Sequence, residues 1–225
     1  MAGTLYGVGV GPGDPELVTL KALRILQSVP VLAWPAPEEG PSLAREIVAA
    51  HLPGTQREIA IRMPLLPARF PADDVYDKAA VEIGDALAAG DDVAVICEGD
   101  PFFYGSFMYL YGRLAGDYEI EVVPGVSSLT ACAAALGAPL SAKNDVLTVI
   151  PGPLDAATMK QRLADADAAA IIKVGRHFDK IRGVIGELGL ADNARYIERA
   201  TMAEQRIMPL ADVGDHNAPY FSMIL

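Results

Sequence analysis

Cysteine is almost absent from this 225-residue chain. Cys97 lies in an apolar run and Cys132 in an alanine-rich segment, and neither belongs to a paired-cysteine metal spacing, so both read as buried thiols. Basic charge is scarce as well: 18 Lys and Arg against 29 Asp and Glu leave a formal net charge of −11. Affinity for nucleic acid comes from cations that displace phosphate counterions, so no nucleic-acid partner is expected. No apolar run reaches the ~20 residues that span a bilayer, and Met1 leads into Leu5–Val10 without a basic leader. No membrane partner is expected, and the expected location is the cytoplasm. His51 and His216 have no metal-type companions and read as structural; no metal site is expected.

Apolar residues make up 52% of the chain, enough for a sizeable core. Short apolar runs alternate with segments of helical period, the pattern of an α/β fold with a mostly parallel sheet. Strands are predicted at Leu5–Val10, Val31–Ala33, Thr55–Ile61, Val93–Cys97 and Glu119–Val123. Further strands follow at Val146–Ile150, Ala170–Val174, Arg195–Ile197 and Tyr220–Leu225. Helices are predicted at Glu16–Ser28, with Leu17, Leu20 and Leu23 on one face, from a Ser42 cap onward, and at Val75–Ala89. Three more fall near Ser128–Leu136, Thr158–Ala164 and Lys180–Leu188. Pro64, Pro67 and Pro71 place an irregular loop at Arg62–Asp74. The turn at Gly116-Asp117 sets the expected boundary between two α/β domains, 1–116 and 117–225; with no flexible linker they are expected to pack around a cleft. The last run ends inside a strand pattern, which leaves open whether the natural protein extends past Leu225.

Three loops follow strands and precede helices, where open α/β sheets bind ligands. The first, Gly7 to Pro15, misses the dinucleotide fingerprint, because its third glycine position holds Pro12 or Asp14. No Gly-Lys-Ser/Thr follows, and Pro12 and Pro15 remove N–H donors from any phosphate nest. The second, Glu98-Gly99-Asp100-Pro101-Phe102-Phe103-Tyr104-Gly105, sets two carboxylates beside small residues and suits a cationic, hydroxylated ligand. The other reading of it is a helix N-terminus capped by Asp100 with its aromatics in the core. The third, Pro124 to Thr130, offers hydroxyls that either cap a helix or bond a ligand. Each loop alone is compatible with a simple turn; three in order favour a shared ligand crevice.

These motifs, the Gly-Pro-Gly-Asp turn at Gly11–Asp14, Gly99-Asp100-Pro101-Phe102 with Tyr104-Gly105, and Pro124-Gly125-Val126-Ser127-Ser128, resemble the tetrapyrrole methylase family. The similarity continues through Ile172–Arg176, Glu198–Thr201 and Gln205-Arg206. Within the family the chain looks most like the branch that methylates carbon 20 of precorrin-2, on the residues Gly99–Tyr111, Glu121–Ser128 and Pro219–Leu225. The resemblance implies a homodimer of two-domain subunits, S-adenosylmethionine as methyl donor with S-adenosylhomocysteine as product, and no metal. Carried over by position, the cofactor contacts fall on Pro12, Gly99, Asp100, Phe103, Ser127 and Ser128, with Thr130 as a neighbour. Val174 and Ala200 take the matching places in the second half, where Val174 reads equally as a strand-end core residue.

Methyl transfer from a sulfonium to an activated carbon requires alignment and exclusion of water, not a protein nucleophile. Some relatives that act on uroporphyrinogen carry an Asp after the second strand as proton acceptor. This chain has Ala33-Trp34-Pro35 there, which leaves the base unassigned. Tyr104 is the catalytic candidate, with a packed aromatic as its other reading. A polycarboxylate tetrapyrrole needs cations, and Arg62, Arg69, Lys143 and Arg176 are the substrate-binding candidates, each readable as a solvated surface charge. Rival readings are a methylase of another acceptor (cobalt-factor II, uroporphyrinogen III, a later precorrin or ribosomal RNA, or a diphthine synthase), a non-catalytic ligand-binding protein, and a nicotinamide-dependent reductase.

Overall fold

The computed structural model describes residues 1–64, 73–214 and 218–225. The chain divides into two compact units, Met1–Ser127 and Ser128–Leu225. This corrects the boundary expected at Gly116-Asp117. Beyond that turn, Ile120–Val123 still pairs in parallel with Leu5–Val8, and the ladder holds it in the first unit.

The first unit is built on a parallel sheet of β1 (Leu5–Gly9), β2 (Val31–Pro37), β3 (Arg57–Met63), β4 (Val93–Cys97) and β5 (Ile120–Val123) in the order β3-β2-β4-β1-β5. Its helices are α1 (Leu20–Ser28), α2 (Leu43–Ile47), α3 (Asp73–Ala89) and α4 (Phe107–Leu114). Alternation along β4 shows how both faces are covered. Val93, Val95 and Cys97 pack with Tyr76, Ile83 and Leu87 of α3 and Phe107 and Leu110 of α4. Ala94 and Ile96 pack with Ala22 and Leu26 of α1 and Ala44 and Ile47 of α2. A strand buried at all five positions needs apolar residues throughout, and Val-Ala-Val-Ile-Cys supplies them. Gly7 lets α4 approach: a Cβ there would lie 2.3 Å from the Phe107 ring.

Two helix starts differ from the sequence expectation. Pro15–Leu17 is a separate 3-10 turn, with Glu16 N–H donating to Asp14 Oδ1 at 2.8 Å. Helix α1 begins only at Leu20, where Thr19 Oγ1 accepts from Ala22 N at 3.2 Å. Its apolar stripe is therefore Ala22 and Leu26, while Leu20 is 79% exposed. Ser42 precedes α2 as expected, but its hydroxyl donates to Pro35 O at 2.7 Å and makes no cap bond. Arg62 and Met63 complete β3 and Asp73 and Asp74 open α3, which corrects both ends of the expected Arg62–Asp74 loop. The middle of that stretch, with Arg69, lies outside the described residues, as does His216.

The second unit opens with α5 (Ser128–Leu136) and contains β6 (Leu147–Pro151), α6 (Ala156–Ala164), β7 (Ala168–Ile172), α7 (Phe178–Glu187), β8 (Arg195–Glu198), β9 (Arg206–Pro209) and β10 (Ser222–Ile224). Its sheet runs β6-β7-β10-β8-β9, with β6 and β7 parallel and the remaining pairs antiparallel. Met159 and Leu163 of α6 and Phe178, Ile181 and Ile185 of α7 form one core with Ile171 and Tyr196. Leu129 and Cys132 of α5 cover the other face, against Ala170, Ile172, Ile197 and Met223. Lys180 fixes the turn after β6, its Nζ donating to Gly152 O at 2.6 Å and also to Leu154 O.

Candidate functional site

In the first sheet β1 lies between β4 and β5, so the segments leaving these three carboxyl ends are neighbours. Backbone bonds join the first two: Val10 N donates to Cys97 O at 3.0 Å, Gly99 N to Gly11 O at 2.7 Å, and Gly11 N to Gly99 O at 3.3 Å. The third is pressed against both. A Cβ on Gly125 would stand 2.0 Å from Gly99 O and 2.8 Å from Gly9 Cα; one on Gly9 would stand 2.5 Å from Gly99 O and 2.7 Å from Gly125 Cα. These contacts admit no side chain at Gly9 or Gly125, and Gly99, at φ +65°, adopts the left-handed conformation that favours glycine.

Asp100 ties the cluster together. Its Oδ1 accepts from Phe102 N at 2.9 Å and Phe103 N at 3.0 Å, and its Oδ2 accepts from Gly125 N at 3.1 Å. One carboxylate thus shapes its own turn and holds the β5 loop to the β4 loop. An ionised carboxylate has about four lone-pair sites, so three amides leave it able to accept one further bond, such as that of a hydroxyl. Pro12 is buried in the first loop, and Ser127 is half-buried at the end of the third. Ser128 and Thr130, both exposed, stand in the first turn of α5 in the second unit.

The aromatics after Asp100 are not in the core. Phe102, Phe103 and Tyr104 are 48%, 37% and 46% exposed, which sets aside the reading of this segment as a buried helix start. Phe102 meets the edge of Tyr111 at 5.2 Å between ring centres, and Phe103 meets Tyr104 at 5.2 Å. Tyr104 has φ +56°, a left-handed conformation costly for a residue with a Cβ. The helix that follows is entered at Phe107, after Gly105.

Two titratable side chains border the cluster. Burial pushes the Cys97 thiol far above its ordinary value, with Glu98 and Asp100 adding to the rise, so it is protonated and unreactive. Burial likewise raises the carboxyl of Glu98, opposed by hydrogen bonds from its own amide and from Ala44 N, the latter at 3.2 Å to Oε1. Sequence reasoning counted Glu98 as one of the second loop's two carboxylates but gave it no role of its own; the sign of one was a carboxylate placed directly after a wholly apolar strand.

The remaining candidates stand at several places. Arg62 on β3 donates to Pro37 O and Gly40 O, both at 3.0 Å. In the second unit Val174 is fully buried in the core with α7, while Ala200 joins the opposite core with α5. Each follows a residue of positive φ, Lys173 at +56° after β7 and Arg199 at +46° after β8. Lys143 and Arg176 are exposed, and Arg176 Nε lies 3.4 Å from His177 Nε2. Partial burial, then Lys180 and Arg176, keeps His177 below the ordinary histidine range. His51 Nε2 meets Pro15 O at 3.2 Å, in keeping with a structural role. Among the described residues no group of three or more His, Cys, Asp or Glu is placed to hold a metal ion, and no helix is long and apolar enough to cross a membrane.

A donor-poor, glycine-packed junction at the ends of three parallel strands, followed by a mixed α/β unit, defines a two-unit α/β protein of the class III methyltransferase type. The family model of the tetrapyrrole (corrin/porphyrin) methylases matches residues 4–213, and the chain belongs to that family. A precorrin-2 C(20)-methyltransferase of a Sinorhizobium species is 41% identical over 99% of this chain and 94% of its own length. The cobalamin biosynthesis protein CobIJ of Mycobacterium tuberculosis is 42% identical over 99% of this chain but 46% of its own, so the chain spans about half of that relative. Among solved structures, the uroporphyrin-III C-methyl transferase of Thermus thermophilus complexed with S-adenyl homocysteine superposes with a TM-score of 0.70. It is 25% identical, with 99% of this chain and 96% of that one covered.

Proposed function

We propose that the protein methylates carbon 20 of precorrin-2, with S-adenosylmethionine as donor, to give precorrin-3A in cobalamin biosynthesis. The observation that carries this reading is the junction at Gly9, Gly99, Asp100 and Gly125. It aligns three strand ends at closest backbone approach and offers a carboxylate acceptor instead of a phosphate nest. The full-length similarity to the Sinorhizobium C(20)-methyltransferase supports the choice of acceptor.

The donor, when bound, supplies a methyl group on a positively charged sulfur. The residues present fit such a molecule. Pro12 and Pro15 withhold the N–H groups a diphosphate needs, and the acidic neighbours Glu98 and Asp100 favour positive charge. Pro12, Gly99, Asp100, Phe103 and Ser127 hold the cofactor in this proposal. Asp100, already fixed by three amides, needs little reorganisation to accept a further hydrogen bond. Ser128, Thr130, Val174 and Ala200 enter through the family resemblance, as do Arg62, Arg69, Lys143 and Arg176 towards substrate carboxylates and Tyr104 beside the acceptor. The proposal includes a homodimer, supported by the same resemblance; a cytoplasmic location, in keeping with the biosynthetic relatives; and catalysis without a metal.

The test is methyl transfer from labelled cofactor to precorrin-2, its cobalt complex and uroporphyrinogen III, with S-adenosylhomocysteine binding measured by calorimetry. Transfer to carbon 20 of precorrin-2 is expected. Preference for either other acceptor refutes the substrate, and absence of saturable nucleoside binding refutes the enzyme. Sedimentation of the same preparation checks the dimer, and assay after chelation checks the metal.

A further inference from the structure

Asp100 spends its carboxylate on holding the loops together, and Glu98, two residues earlier, does not. Ala94 and Ile96 of β4 face the core shared with α1 and α2, so Glu98 leaves the strand on that same face at the sheet's carboxyl edge. The bond from Ala44 N to Oε1 at 3.2 Å, from the first turn of α2, agrees with this placement. Ser42 gives α2 no side-chain cap, and Oε1 takes over that service. The cap accounts for one oxygen only. Among the described residues no other residue donates to Oε2, the second bond to this carboxylate coming from Glu98's own amide, and no Lys or Arg forms an ion pair with Glu98.

A carboxylate with one oxygen anchored and the other open, at the edge of the ligand-binding end of a sheet, is built to accept a proton. We propose that Glu98 is the base that removes the hydrogen from carbon 20 of the tetrapyrrole. This rests on the reaction proposed above. Once the new methyl group is on carbon 20, that carbon carries four single bonds and the ring nitrogens share a positive charge. The C–H bond breaks, its electron pair returns to the conjugated system and discharges the nitrogens, and the proton forms an O–H bond at Oε2. Atoms and charge balance without another reactant. Burial supports the assignment, because it raises the carboxyl above its ordinary value and makes the carboxylate a stronger base.

The test compares wild type, Glu98→Gln and Glu98→Asp. Gln keeps an oxygen for Ala44 N and removes the base, so folding and S-adenosylhomocysteine affinity are expected to be unchanged. Single-turnover methylation of precorrin-2 by Glu98→Gln is expected to fall about 100-fold or more, the usual range for loss of a general base, with Glu98→Asp between. Deuterium at carbon 20 is expected to slow the Gln variant more than wild type, since proton removal becomes limiting. A readout without turnover uses S-adenosylhomocysteine in place of the donor: in heavy water, wild type is expected to speed exchange of the carbon 20 hydrogen and Glu98→Gln is not. An active wild type whose Gln variant matches it in rate and exchange overturns the role of Glu98 alone. So does a rate loss that only parallels lost nucleoside affinity, the mark of a disturbed α2. Wild-type protein inert towards precorrin-2 overturns the proposed reaction and this assignment with it.

Discussion

Gly125→Ala probes the junction directly. The added methyl would sit 2.0 Å from Gly99 O, with Gly9 Cα and carbonyl carbon at 2.8 Å, all of them backbone. Ordinary carbon–oxygen contacts of this kind lie near ~3.3–3.6 Å, so the β5 loop must retreat by about 1.3 Å or more. Overpacking of that sort costs about 1–3 kcal/mol. The retreat also stretches the 3.1 Å bond from Gly125 N to Asp100 Oδ2, a charge-assisted bond worth roughly 1.5–3 kcal/mol. The two losses share one displacement and do not simply add, which gives a destabilisation of about 2–4 kcal/mol. At ~2–4 °C per kcal/mol for a chain of this length, thermal unfolding is expected to drop by about 4–16 °C. Scanning calorimetry measures this, and titration with S-adenosylhomocysteine measures the consequence for binding. A displacement of that size is expected to weaken the nucleoside by roughly 100-fold. An alanine variant with wild-type unfolding temperature and affinity would refute the claim that three backbones meet here without room for a Cβ.

Asp100→Asn separates the two duties of that side chain. Its amide oxygen still accepts from Phe102 and Phe103, but the NH2 group faces the donor Gly125 N, so stability is expected to fall by about 1–3 kcal/mol in urea unfolding, with nucleoside binding weakened in parallel. Burial pushes the Cys132 thiol up to about 12 and raises Cys97 further, so neither is expected to react with iodoacetamide at neutral pH before unfolding; rapid labelling seen by mass spectrometry would contradict their burial. Asp155 caps α6 by accepting from Thr158 N at 2.9 Å and Thr158 Oγ1 at 2.7 Å, which holds its carboxyl below the ordinary range. Its folded value being lowered, the stability it contributes is present above the unfolded value and is lost as pH falls through the folded one. Urea titrations at neutral and acid pH should therefore show a smaller acid loss in Asp155→Asn than in wild type.

The pattern of local periods carried much of the architecture. Wholly apolar Val93–Cys97 reads as a strand buried on both faces, and it is one; the two cysteines sit in core segments as their surroundings indicate. Glycines and prolines at strand ends marked all three loops, because turn chemistry is local and visible in a few consecutive residues. Where the outcome depended on distant partners, the pattern misled or fell silent. Leu20 has helical spacing but lies outside the stripe, since Thr19 and not Glu16 sets the start of α1. Phe107–Leu114 went without a predicted helix although Phe107, Leu110 and Leu114 recur at helical spacing, because exposed Met108 and Tyr111 blur the apolar stripe. Arg206–Pro209 is a four-residue, mostly exposed edge strand, too short to show an alternating pattern.

By itself the sequence determined the α/β class, the three loops and their order, and the family, all of which are written in short-range patterns and motif residues. Only the tertiary structure decided that the fifth strand belongs to the first unit, that Gly9, Gly99 and Gly125 are in contact, that Asp100 is a brace between loops, and that Glu98 keeps one oxygen open. These depend on which strands lie side by side. Residues about 25 to 115 positions apart become neighbours through sheet pairing, a relation set by the sum of core packing and not by any local stretch of chain.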